Sequence, residues 1–221
     1  MGLISILGSD PVVFILIVIS LVFALCIHEF SHGYIAYLNG DDTAYRMGRL
    51  TLNPLKHLDP IGSMMILFIG FGYAKPVPVN PNNLDNPRKD IIKVAAAGPI
   101  SNFILSFFGV LIFTTLAKVN LLQKNYHLFF SYFIMINTYL GLFNLIPIYP
   151  LDGGQIFGNI IAKYDRNIFI KLNEYGPKVL LGIIIFSIFT DIPILSWIIG
   201  TPADLIISGF SIISDKILFF L

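Results

Sequence analysis

The chain has 221 residues, of which 56% are hydrophobic and 12% charged, with a formal net charge of +1. A soluble domain averages about 25% charged residues, so the composition belongs to a membrane protein. The near-neutral charge, without a dense basic run, excludes a nucleic-acid partner, and the single cysteine, Cys26, excludes both an intrachain disulfide and a cysteine-rich structural zinc site.

The first apolar run, about residues 11–37, carries no Lys or Arg ahead of it. Asp10 followed by Pro11 reads as an N-cap with proline at the first helical position, so a permanent membrane helix is expected in place of a cleavable signal. The stretch 61–73 is apolar but short and contains Gly62, Gly70 and Gly72, which favours a re-entrant or interfacial element over a span. It runs into Ala74–Val79, where prolines alternate with valines and the backbone must be extended. Further spans are expected at about 91–117, 128–148 (closed by Pro147 and Pro150) and 178–200 (kinked by Pro193). The stretch 203–221 reads equally as a fifth span or an interfacial helix. The expected fold is an all-α polytopic membrane protein of one domain, 1–221, with a short re-entrant or extended hairpin.

With the hairpin kept on one side, eleven of the fourteen Lys and Arg residues fall on that side and only Lys118, Lys124 and Lys216 on the other. By the positive-inside bias the larger group is cytoplasmic, in a multi-pass protein of the cell (inner) membrane. The end of the first span and Leu151-Asp152-Gly153-Gly154 then lie at similar depth, toward the cytoplasm.

That depth matters because the first span contains His28-Glu29-Phe30-Ser31-His32. Two histidines four apart share one helix face and can bind one metal ion, while the glutamate between them handles a proton. Ionisable side chains in a hydrocarbon-facing helix cost on the order of 2.5–3.5 kcal/mol each, so three together call for a partner such as a cation. A catalytic zinc takes three protein ligands and one open position. Asp152 is the leading third ligand; its alternative role is to cap the helix that follows. Glu174 is the rival, in a polar stretch that reads as solvated. Asn102, Asn144 and His57 are candidate substrate or oxyanion groups. Their alternatives are helix–helix hydrogen bonding for the asparagines and an interfacial structural role for His57, paired with Asp59. Cys26 reads as a small apolar filler.

Together with Asn53-Pro54-Leu55-Lys56-His57-Leu58-Asp59-Pro60-Ile61-Gly62, Ala97-Gly98-Pro99-Ile100-Ser101-Asn102 and Asn144-Leu145-Ile146-Pro147, these motifs resemble the site-2 protease family of intramembrane zinc metalloproteases, over about residues 11–160. The resemblance is to the compact bacterial members without PDZ or CBS modules. It implies one zinc held by His28, His32 and Asp152, Glu29 as general base, a three-helix core, and membrane-anchored proteins as substrates. A zinc carrier or other non-catalytic metal-binding membrane protein is the competing class. A carrier needs polar ligands across the whole membrane, whereas these residues cluster at one depth. Glu29 is the one residue of the motif that metal binding does not need.

Overall fold

A computed structural model describes residues 2–190 and 192–219. Within them the chain forms α1 (Ile4–Ser9), α2 (Pro11–Leu38), α3 (Thr43–Arg46), α4 (Pro60–Ile69), α5 (Pro87–Lys118), α6 (Lys124–Asn144), α7 (Asp152–Ile161), α8 (Arg166–Thr190) and α9 (Ile194–Ile217), with two short 3-10 turns. Among the described residues the only β pairing is one antiparallel bridge, Leu58 to Ala74. Helices α2, α5, α8 and α9 are each long and apolar enough to cross a membrane. The fold is therefore an all-α polytopic membrane protein, in contact with lipid.

Helix α2 begins where the Asp10 carboxylate accepts the N–H groups of Val12 and Val13, both at 3.1 Å, with Pro11 in the first turn. Capping satisfies donors that have no partner within the helix, and proline there loses nothing. Helices α2, α5 and α6 form the core. Contacts between Ala24 and Asn102, and between His32 and Val94, make α2 and α5 antiparallel. The bond between Ser106 and Thr138 and the ring contact of Phe113 with His127 do the same for α5 and α6. The polarity is inverted relative to a soluble bundle. Ser20, Asn102, Ser106, Asn137 and Thr138 are fully buried, while Ile15, Ile19, Phe23, Ile104 and Phe108 face outward. Lipid tails give no hydrophobic drive between helices, so small residues and buried hydrogen bonds hold the core.

Two expected helices change their bounds. The third expected span stops at Asn144, before Pro147, because the residue preceding a proline is pushed out of the helical region. The expected helix over 178–200 is divided: α8 ends at Thr190, and Pro193 is the N-cap of α9 in place of a kink within it. Proline lacks an N–H and fits best at a helix start. Helix α9 thus takes in most of 203–221; residues 220 and 221 lie outside the described part. Phe107 meets Phe210, and the Lys118 ammonium donates to the Leu218 carbonyl at 2.6 Å, so α9 runs parallel to α5. Its first turn therefore lies at the end of the bundle where α2 finishes. Phe169 and Asn173 of α8 border one cavity with Pro87 and Arg88 at that same end. Helix α8 both begins and ends there, resting on α7.

The expected hairpin is built from α4 and an extended return. Asp59 caps α4 at the Gly62 N–H, 2.9 Å, and Gly70 closes it at φ +87°, a left-handed backbone that favours glycine. Residues 74–80 then cross the C-terminal half of α2 as a strap. The Lys75 N–H donates to the His57 carbonyl at 2.8 Å, and the Asn80 N–H donates to the Asp41 carboxylate at 2.7 Å.

Candidate metal centre

One helical turn of α2 carries His28, Glu29 and His32, all in the buried half of that helix. The first residue of α7, Asp152, is turned toward them. The Asp152 Oδ2 atom lies 3.2 Å from His28 Nε2 and 3.4 Å from His32 Nε2. The two imidazole Nε2 atoms are 3.1 Å apart. Ligands about 2.0–2.1 Å from a zinc ion sit about 3.3 Å from each other at the corners of a tetrahedron. The triangle has the size of one tetrahedral face.

Hydrogen bonding sets which atoms point inward. His28 Nδ1 lies 2.6 Å from Asn102 Oδ1, and His32 Nδ1 lies 2.7 Å from the Val94 carbonyl. Both partners are acceptors, so each Nδ1 carries the proton and each Nε2 presents a lone pair. The Asn102 orientation is itself fixed, since its amide nitrogen donates to the Ala24 carbonyl at 3.2 Å and to Asn137 Oδ1 at 3.1 Å. Asn137 in turn donates to the Phe133 carbonyl at 2.8 Å. The Asp152 Oδ2 atom accepts no hydrogen bond. Two lone pairs and a carboxylate therefore converge with no proton between them, an arrangement that a cation stabilises. Gly98 of α5 makes the room: a Cβ there would lie 2.6 Å from His28 Nε2 and strike His32 Nε2 as well. The donor set and the cradle fit zinc.

The alternative role of Asp152 as a helix cap is not what is seen. The N-cap of α7 is Leu151, and Asp152 is already inside the first turn. Behind it, side chains on Gly153 or Gly154 would collide with the backbone of residues 145–149, so only glycines let α7 start this close to α6.

Glu29 does not join the triangle. Its Oε2 accepts the Val77 N–H of the strap at 2.8 Å. Glu174 pairs with Lys178 at 3.7 Å on the exposed face of α8. Asn102 meets His28, as above. Asn144 folds its amide back onto the Leu140 carbonyl of its own helix at 3.0 Å. His57 is buried and not paired with Asp59, whose carboxylate is spent on capping α4. Its Nε2 lies 2.7 Å from the Thr51 carbonyl, where it steadies the base of the hairpin. Cys26 is buried, with its sulfur 3.2 Å from the Leu52 carbonyl.

The sequence alone gives Asn137, Gly98 and Arg49 no separate place in the site, and places Val77 only within the extended edge 74–79. Asn137 was detectable as a polar residue inside an apolar run. The other three depend on which helix faces which.

The chain matches the family model described as Peptidase family M50 over residues 15–127 and 115–187. YwhC of Bacillus subtilis, assigned as a zinc metalloprotease, is 37% identical over 211 residues, 91% of this chain and 94% of its own length. Rip2 of Mycolicibacterium smegmatis, likewise assigned, is 30% identical over 146 residues, 64% of this chain and 55% of its own. The zinc metalloprotease MJ0392 of Methanocaldococcus jannaschii is 28% identical over 182 residues, 81% of this chain and 43% of its own. No solved structure matches the chain. With a cluster suited to zinc among membrane-length helices, the chain belongs to peptidase family M50, the site-2 protease family, as an integral-membrane zinc metalloprotease.

Proposed function

We propose that the protein is an intramembrane endopeptidase, hydrolysing peptide bonds within or near the spans of membrane-anchored proteins, with His28, His32 and Asp152 as its zinc ligands and Glu29 as its general base. The convergence of Nε2, Nε2 and Oδ2 inside helices of membrane length supports this reading most strongly. Zinc supplies Lewis acidity there, which brings the pKa of water toward about 7 and polarises a carbonyl. Glu29 receives the proton from the attacking water and passes it to the leaving amine, with one carboxylate oxygen steadied by Val77. Asn102 and the Val94 carbonyl hold the two imidazoles in the tautomer that ligation needs. Asn144 and His57 are the remaining candidates for contact with substrate or oxyanion: the Asn144 amide nitrogen keeps a second N–H to donate, whereas His57, whose Nε2–H is given to the Thr51 carbonyl, offers a lone pair at Nδ1 to a substrate donor.

A peptide bond inside a membrane helix is hydrogen-bonded and must be unwound before attack. The strap at Ala74–Val79 is placed to hold the unwound segment by strand addition, and the Val79 N–H makes no hydrogen bond among the described residues. The cation bias supports a multi-pass orientation in the cell membrane with the site toward the cytoplasm. The test is to purify wild type and Glu29→Gln, measure bound zinc, and assay a single-span substrate. Zinc retained with activity lost in the variant is expected. Equal activity in both would remove Glu29 from the reaction.

A further inference from the structure

Arg49 is buried, 8% exposed, yet among the described residues it has no ion pair. Its Nε has no partner. Among the described residues its guanidinium donates only to two strap carbonyls, Lys75 at 2.9 Å and Pro76 at 3.2 Å. A buried cation without a counter-ion is costly, and an apolar side chain would fill the space at less cost. The expense points to what Arg49 holds.

The Pro76 carbonyl and the Val77 N–H are the two ends of one peptide group. That peptide is trans, the only cis bond among the described residues being Tyr149–Pro150, so its oxygen and its hydrogen point in opposite directions. Arg49 sits at the oxygen end and Glu29 at the hydrogen end, 2.8 Å from the nitrogen. A guanidinium on the oxygen polarises the amide and strengthens the bond that its N–H donates to a carboxylate. The Val77 side chain seats the same peptide on α2, where it abuts Gly33, one turn beyond Glu29.

We infer that Arg49 is a positioning residue for Glu29, acting through the Pro76–Val77 peptide as a relay from guanidinium to carboxylate. Arg49 is then the counter-charge of Glu29 without touching it. The relay fixes Oε2 and leaves Oε1 as the atom that works on the proton. The inference rests on the reading of Glu29 as general base.

The test compares wild type, Arg49→Met and Arg49→Lys for zinc content, kcat and KM on a single-span substrate, with melting temperatures in native and Glu29→Gln backgrounds. Arg49→Met is expected to keep its zinc, hold KM within about twofold and lose roughly 10- to 100-fold in kcat, because a slightly misplaced base is that costly. Arg49→Lys should recover part of the loss, since it can still donate to the Pro76 carbonyl. The drop in melting temperature caused by Arg49→Met should shrink when Glu29 is already Gln. An unchanged kcat, a change confined to KM, lost zinc, or an equal drop in both backgrounds would overturn the relay. Should Arg49→Met fail to fold, replacing Val77 by its hydroxy-acid analogue deletes the N–H given to Glu29 and weakens the Pro76 carbonyl as an acceptor for Arg49, so the relay is broken without removing a side chain. Loss of kcat with zinc retained is expected there, and full activity would overturn the proposal. If Glu29→Gln proves active, the base reading fails, while the melting-temperature coupling still reports whether the relay exists.

Discussion

Gly98 and Asn102 decide whether two histidines on a helix become a ligand pair. Spacing alone puts His28 and His32 on one face, and that much is readable from the motif. Which nitrogen each ring presents depends on the acceptor opposite Nδ1, and this comes from the register of α5 against α2, which the motif does not encode. Asn102 therefore read as a candidate oxyanion group, whereas its oxygen faces His28. Replacing it with Leu leaves the His28 Nδ1–H without its acceptor. Zinc affinity, titrated against a competing chelator, is expected to fall roughly 10- to 100-fold, as for other losses of a ligand's hydrogen-bond partner. Gly98→Ala places a methyl group against both Nε2 atoms and should weaken zinc at least as much. Unchanged zinc affinity in either variant would contradict the tautomer and cradle arguments. Asp152 was legible for a different reason: a lone carboxylate in apolar surroundings demands a partner, and the cap alternative fell only once Leu151 proved to occupy that position.

At the scale of elements, the strap and its anchors matter most. The alternating prolines made residues 74–79 legible as extended, but the side chains that pin the strap 74–80 come from three separate places: Arg49, Glu29 and Asp41. Burial alone would raise the Asp41 carboxyl. Hydrogen bonds from the Thr43 hydroxyl and backbone, the Asn80 N–H and the Asn83 amide outweigh it and hold the group below the ordinary carboxylate value. A carboxyl lowered in the folded state adds stability above the unfolded pKa of about 4, and that stability is lost as pH falls through the folded value. Melting temperature followed against pH should drop below about pH 4 in the wild type, with a shallower acid limb in Asp41→Asn. Identical acid limbs would mean that the anchor is not coupled to folding. Val79→Pro deletes the donor offered to substrate, so KM should rise with kcat held, and an unchanged KM would argue against strand addition. The break between α8 and α9 was misread as a kink because apolar composition runs on through it. Pro193 marks a helix start that hydropathy does not register.

For the whole molecule, the interior is where the polar groups are. Ser20, Asn102, Ser106, Asn137 and Thr138 are sealed between α2, α5 and α6, and long apolar side chains face outward to lipid. Composition alone made the membrane class legible, since too few charges remain to solvate a surface. The path of α8 was not legible, because its length and apolar character suit a span equally well. Only the parallel register of α9 on α5, fixed by Phe107 with Phe210 and Lys118 with Leu218, returns α8 to the end where it began. The same architecture puts a water-dependent site among helices of membrane length, which is the central claim about function. Its most direct measurement is to locate the scissile bond by mass spectrometry in a single-span substrate reconstituted in liposomes with wild type or Glu29→Gln. A cut within the substrate's apolar span or at its edge is expected, and no product from the variant. Cleavage confined to soluble loops, or equal product from both proteins, would contradict it.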